Sequence, residues 1–180
     1  MHTPTALALR TFTGQADGPH LLITGGVHGD EYEPMAAIRR LIQHFSRAER
    51  DHGAAPWRGR LTFVPVVNQP AFARNRRTAE DDKDLARTCP GRADGSVTER
   101  LADALSALIR SADFYIDLHT GGTIYDIMPL AGYVLHANAA VLDQQRAMAR
   151  AFNLPLIWGT NPNLTGRSLS VARDASVPAI

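Results

Sequence analysis

Cysteine occurs once in the 180 residues, at Cys89, which excludes an internal disulfide framework and a metal centre built on thiolates. An excess of one charge sign is lacking too: 19 Lys and Arg against 18 Asp and Glu leave a formal net charge of +1. That balance provides no electrostatic footprint for nucleic acid or an anionic membrane surface. No apolar run reaches the roughly 18 residues that a membrane-spanning helix needs. Met1 to Arg10 lacks the basic start and long apolar core of a secretory signal. These absences lead to the expectation of a cytoplasmic protein, one domain over residues 1–180, whose function resides in a local site.

What is present is an alternation of short apolar runs and amphipathic stretches. This pattern predicts an α/β fold with a mixed, mainly parallel central sheet flanked by helices. Leu21 to Thr24 is an apolar run closed by Gly25-Gly26 and reads as a buried strand. Met35, Ile38, Leu41, Ile42 and Phe45 then recur at helical spacing, with Asp30 and Glu33 resembling a cap at the start. A polar linker is expected from Arg47 to Gly59, followed by a strand over Leu61 to Val67 in which Pro65 signals an edge or a bulge. From Asn68 to Gly95 the chain is polar and lacks either periodicity, and loops of this length are uncommon unless functional or disordered. Ser96 with Glu99 marks the start of a further helix. Phe114 to Leu118 reads as a strand leading into His119. Further strands are expected near Tyr133 to Leu135 and Leu156 to Trp158, with helices from Ala139 to Phe152 and Leu169 to Arg173. Val177 to Ile180 looks like the entry to another buried strand.

Gly25-Gly-Val-His-Gly-Asp-Glu31 sets His28 and Glu31 at the junction of a strand end and a helix start. Imidazole and carboxylate are both good zinc donors, and a three-residue separation across a turn lets them hold one ion. His119 follows a different strand, and the carboxyl ends of strands line the ligand crevice of an α/β sheet. Two histidines and a glutamate leave a coordination position open, as catalytic zinc requires. Taken singly, His28 and His119 also read as turn and strand-end histidines, and Glu31 as a first-turn residue favoured by the helix dipole.

Together with Asn68-Gln-Pro-Ala-Phe72, Asp84-Leu-Ala-Arg87 before Pro90-Gly91, and Asp117-Leu-His-Thr-Gly121, that segment resembles the succinylglutamate desuccinylase/aspartoacylase group of metallocarboxypeptidase-like enzymes. The resemblance runs from about Leu21 to Ile180, with the motifs in order. It implies one zinc ion per chain held by His28, Glu31 and His119, with Arg77 polarising the scissile carbonyl. It also implies that Arg87 and Asn68 contact the substrate, Arg87 gripping a carboxylate with its planar fork of donors. The implied activity is zinc-dependent hydrolysis of an amide bond in a small, anionic N-acyl amino acid. A peptide-cleaving carboxypeptidase and a non-catalytic zinc-binding or ligand-binding relative are the alternatives, and the oligomeric state is open. Asp117 is expected to support the site.

Two positions depart from the family pattern. Ala86 stands where the motif has asparagine, which leaves the substrate's identity open, and Cys89 replaces an aromatic residue and reads as a small, partly buried side chain. In the family a glutamate on the strand after a Val-Pro-Ala-Ile-like segment is the general base. Here that position is expected beyond Ile180, so residues 1–180 read as an N-terminal metal-binding domain able to hold zinc but short of one catalytic group. Neither Asp30 nor Glu33 is assigned that role. Tyr125, Asp126 and Asn161 to Asn163 are further candidates for the cleft wall.

Overall fold

A computed structural model describes residues 6–52 and 55–180. Its elements are strand β1 (Arg10–Thr24), helix α1 (Tyr32–His52), strand β2 (Ala55–Val64), helix α2 (Gln69–Ala73) and a 3-10 turn at Leu85–Arg87. Helix α3 (Val97–Arg110), strands β3 (Phe114–Asp117) and β4 (Leu130–Val134), helix α4 (Ala139–Ala151), strand β5 (Leu156–Thr160) and helix α5 (Ser168–Asp174) complete the order.

The main sheet has the order β2-β1-β3. His20 to Thr24 pair in parallel with Arg60 to Val64 on one edge, and Leu21 to Thr24 with Phe114 to Asp117 on the other. The first arm of β1 turns back: Arg10 lies opposite Phe63 and Thr13 opposite Arg60. This descending register runs antiparallel along the outer edge of β2, which makes the sheet mixed. Strands β4 and β5 form a second, parallel pair. Val177 to Ile180 do enter a strand-like pairing, with Ala179 bridging Tyr115 in parallel and Ile180 Nα–H donating to the Tyr115 carbonyl.

Successive strand residues feed opposite faces, as a pleated sheet requires. Leu22 and Val64 pack with Leu101, Leu105 and Ile109 of α3 and Val171 of α5. Their neighbours Ile23 and Phe63 pack with Ile38, Ile42 and Phe45 of α1. Helices therefore cover both faces, the layering that a parallel sheet needs to bury its apolar strands. No helix among the described residues is long and apolar enough to cross a membrane.

Several expectations are corrected. Helix α1 continues through the stretch read as a linker, because Arg47, Ala48, Glu49 and Arg50 are good helix formers on its exposed end. Gly53, inside the stretch read as a linker, lies outside the described residues. Strand β2 ends at Val64, and Pro65 terminates it rather than bulging an edge; both edges of its Arg60–Phe63 portion are occupied by β1. The Asp30 cap is also absent: α1 starts at Tyr32, and Asp30 Oδ1 is buried without a hydrogen-bond partner among the described residues.

The loop from residue 68 to 95 holds more order than its lack of periodicity predicted. Asn68 caps α2 by accepting the Ala71 Nα–H, and Asp84 caps the 3-10 turn by accepting that of Ala86. Glu99 accepts the Ser96 Nα–H at 2.9 Å as the capping motif predicts. The Ser96 hydroxyl turns to Asp81, which also takes the Thr98 Nα–H.

Candidate metal centre

The Gly25-Gly26 turn carries the chain from β1 toward α1, with Gly26 at φ +65°, where a residue with a Cβ is disfavoured. A Cβ there would lie 3.0 Å from Val66 Cα. The close approach lets Val67 and Asn68 donate backbone hydrogen bonds to the carbonyls of Gly25 and Gly26, at 3.0 and 2.8 Å. The turn presents His28 and Glu31, while the end of β3 presents His119 from the adjacent strand.

Ligand atoms of His28, Glu31 and His119 all lie within 4.8 Å of one another. His28 Nδ1 is 2.7 Å from Glu31 Oε1, and His119 Nδ1 is 2.9 Å from Glu31 Oε2. The same nitrogen of each ring thus faces the glutamate. The opposite nitrogens face other carboxylates: His28 Nε2 lies 3.1 Å from Asp84 Oδ1, and His119 Nε2 lies 3.2 Å from Asp117 Oδ2. Histidines that hold a metal commonly have their second nitrogen engaged by a carboxylate, which fixes the tautomer and aims the free lone pair. The donor set and its backing therefore fit a divalent ion such as zinc.

Charge is concentrated here. Glu31 is 2 % exposed; burial raises its carboxyl, but hydrogen bonds from His119 and His28 more than offset this and hold it at about 2. Burial pulls the His119 imidazolium down, yet the charge and hydrogen bond of Asp117, with Glu31, lift it to about 10. His28 is raised in the same way, with Asp84 and Glu31 overcoming its burial. Asp84 is held well below the carboxylate range by its hydrogen bond to His28, against a smaller effect of burial, with Arg77 assisting.

Arg77 belongs to this cluster. Its Nη2 donates to Asp84 Oδ2 at 3.0 Å and its Nη1 lies 3.6 Å from Glu31 Oε1, with half the side chain open to solvent. Arg87 is exposed, and its guanidinium donates to the neighbouring Ala86 carbonyl. Asn68 is fully buried, and its amide is spent on the α2 cap and the Val27 carbonyl at 3.4 Å. A side chain so placed shapes the loop beside the site instead of offering a surface to a ligand. Cys89 is more deeply buried than its sequence context predicted; burial, then the Asp117 charge, push its thiol up to about 12.

A cavity of about 770 Å³ opens beside His119, lined among others by Glu33, Asp117, Tyr125, Asp126, Trp158 and Arg167. Its volume lies within the range of small-molecule sites. Tyr125 and Asp126 line it, whereas Asn161 to Asn163 do not, and neither do Arg77 and Arg87. Its one arginine is Arg167, just before α5, which the sequence reading missed because an arginine in a loop carries no periodic or motif signal of its own.

A family model described as the succinylglutamate desuccinylase/aspartoacylase catalytic domain matches residues 17–180. The N-alpha-acetyl-L-2,4-diaminobutyric acid deacetylase of Halomonas elongata is 40% identical over 149 residues, covering 81% of this chain and 41% of that protein. Among solved structures, a succinylglutamate desuccinylase from Silicibacter sp. TM1040 superposes with a TM-score of 0.84 at 29% identity, covering 96% of this chain and 51% of its own. The product-bound ectoine utilization protein EutE (DoeB) from Ruegeria pomeroyi gives a TM-score of 0.79 at 32% identity, covering 95% of this chain and 51% of its own. The chain thus spans about half the length of these relatives, or less.

Proposed function

This chain belongs to the succinylglutamate desuccinylase/aspartoacylase family, and from that premise we propose that it is the metal-binding part of a zinc-dependent hydrolase of small N-acyl amino acids. The observation that carries the reading is the convergence of His28 Nδ1 and His119 Nδ1 on Glu31, with Asp84 and Asp117 behind the opposite nitrogens. Relatives named as a diaminobutyric acid deacetylase and a succinylglutamate desuccinylase support the substrate class.

In this reading His28, Glu31 and His119 hold one zinc ion, which supplies Lewis-acid polarisation of a carbonyl when bound. Arg77, beside Glu31, directs its guanidinium at the carbonyl oxygen of the scissile amide, where negative charge develops. The cavity beside His119 receives the amino acid, with Arg167 as a cation for its carboxylate. Arg87 remains a candidate second anchor at the exposed end of its loop. The reading assigns the role of general base to no residue of 1–180.

Elemental analysis and ligand titration test this on the chain by itself. About one zinc per chain is expected, lost in both His28→Ala and His119→Ala. With zinc present, N-acetyl-L-2,4-diaminobutyrate or N-succinyl-L-glutamate is expected to bind more tightly than a dipeptide. A wild-type chain that takes up no zinc would sink the metal reading, and preference for the dipeptide would turn the assignment toward a carboxypeptidase.

A further inference from the structure

Asp84 faces His28 from a loop in which Ala79 and Leu85 are buried while Asp82 and Lys83 between them are exposed. Three residues upstream, Asp81 gathers donors from the start of α3. Its Oδ2 accepts the Ser96 hydroxyl at 2.6 Å and the Thr98 Nα–H at 3.0 Å; its Oδ1 accepts the Thr98 hydroxyl at 2.6 Å and the Lys83 Nα–H at 3.5 Å. Lys83 adds a second tie, its Nζ donating to Glu99 Oε2 at 2.9 Å. Between these anchors Asp82 adopts φ +53°, a left-handed conformation that aspartate tolerates better than most residues with a side chain.

Helix α3 is a firm support for such a tie. Thr98 is fully buried, and Leu101, Leu105 and Ile109 pack into the same cluster as Leu22 and Tyr115 of the central strands. On the other side of the loop, Asp84 Oδ1 accepts the Ala86 Nα–H at 2.8 Å while facing His28 Nε2 at 3.1 Å. Hydrogen bonds from the core helix therefore fix Asp81, and three residues further along the backbone Asp84 carries the carboxylate behind a candidate metal ligand.

We propose that Asp81 is a positioning residue for the metal centre: it latches the loop to α3 and thereby holds Asp84 against His28. The proposal rests on the reading of His28 as a metal ligand. Carboxylates behind ligating histidines set ring orientation, so a carboxylate on a slack loop would leave the imidazole free to turn.

The test is a double-mutant cycle on Zn²⁺ affinity, read by competition with a chelator, together with amide exchange at Ala86. Asp81→Asn keeps the size of the side chain but replaces one acceptor oxygen with a donor, leaving Ser96 or Thr98 unmatched. It is expected to weaken Zn²⁺ binding roughly tenfold and to speed Ala86 exchange. In an Asp84→Asn background it should weaken Zn²⁺ no further, because both changes act through one carboxylate. Thr98→Val removes one of the hydroxyls that hold Asp81 and should repeat the effect on a smaller scale if Asp81→Asn folds poorly. Unchanged affinity and exchange in Asp81→Asn, with only a lower melting temperature, would overturn the proposal; so would an equal loss in the Asp84→Asn background. If the wild type binds no Zn²⁺, the metal reading fails, and Ala86 exchange decides the latch alone: acceleration supports it and an unchanged rate overturns it.

Discussion

His119 Nε2 lies 3.2 Å from Asp117 Oδ2, and that carboxylate, with no exposed surface, is held in turn by Thr24 and Ser168. Thr24 Oγ1 donates to Asp117 Oδ1 at 2.8 Å and Ser168 Oγ to Oδ2 at 2.5 Å. The orientation of His119 is therefore set by β1 and α5 as well as by its own strand. Replacing Asp117 with Asn keeps the shape but removes the charge and one acceptor. The expected result is a loss of zinc affinity of roughly 10- to 100-fold, measured by chelator competition. Wild-type affinity in Asp117→Asn would mean that the buried carboxylate supports the fold alone.

The candidate metal cluster was legible in the sequence because its members sit where strand ends meet glycines, and strand ends are readable from apolar runs. The carboxylates behind the histidines were harder to see. Asp117 precedes His119 by two residues and was expected to support the site. Asp84 stood in a motif but is 56 positions from His28, and no local pattern links the two. The same limit hid Asp81, which caps a helix whose sequence signature, Ser96 with Glu99, already looked complete. The first arm of β1 was missed because Thr13 to Pro19 is polar and glycine-containing, so only its pairing with β2 makes it a strand.

Arg167 separates the two ways an anion can be recognised at this site. It is the one arginine lining the cavity beside His119, whereas Arg77 is engaged by Asp84. Arg167→Ala is expected to weaken binding of N-acetyl-L-2,4-diaminobutyrate about tenfold, close to 1.4 kcal/mol, with the zinc content unchanged. The analogue whose carboxylate is converted to an amide should bind both proteins alike. Equal losses for acid and amide would show that Arg167 shapes the cavity without reading charge.

Cys89 should be chemically silent at neutral pH. Its Sγ faces the Leu85 carbonyl at 3.7 Å, and burial lifts its titration from the ordinary 9.0 to about 12. At pH 8 the thiolate population is then lower than that of an ordinary thiol by on the order of a hundredfold or more. Iodoacetamide is expected to label the denatured chain quickly and the native chain slowly. The sign for stability follows: a thiol whose folded value is raised stabilises the fold fully below about pH 9, and this contribution is lost as pH rises toward 12. Equal labelling rates in native and denatured protein would show that the loop around Cys89 opens readily.

Gly29, between the candidate ligands His28 and Glu31, is where the backbone of α2 crosses the site. A Cβ at this position would sit inside the contact distance of the Ala71 carbonyl and the Phe72 nitrogen, both backbone groups that cannot swing away. The buried N-cap of α2, Asn68, is tied to the strand-end turn by its Nα–H, which donates to the Gly26 carbonyl at 2.8 Å, so the helix cannot retreat without breaking that bond. Gly29→Ala is expected to cost about 1–3 kcal/mol of stability through overpacking, and to lower zinc affinity because the strain falls on the His28–Glu31 turn. Gly132 provides the internal control: a Cβ there meets its nearest atom, Leu130 Cδ1, at an ordinary 3.4 Å, so Gly132→Ala should leave both quantities near wild type. Thermal denaturation and chelator competition on the two variants read the difference. If Gly29→Ala melts with Gly132→Ala and holds zinc as tightly, α2 does not press on the turn, and the geometry that brings Asn68 and His28 together needs another support.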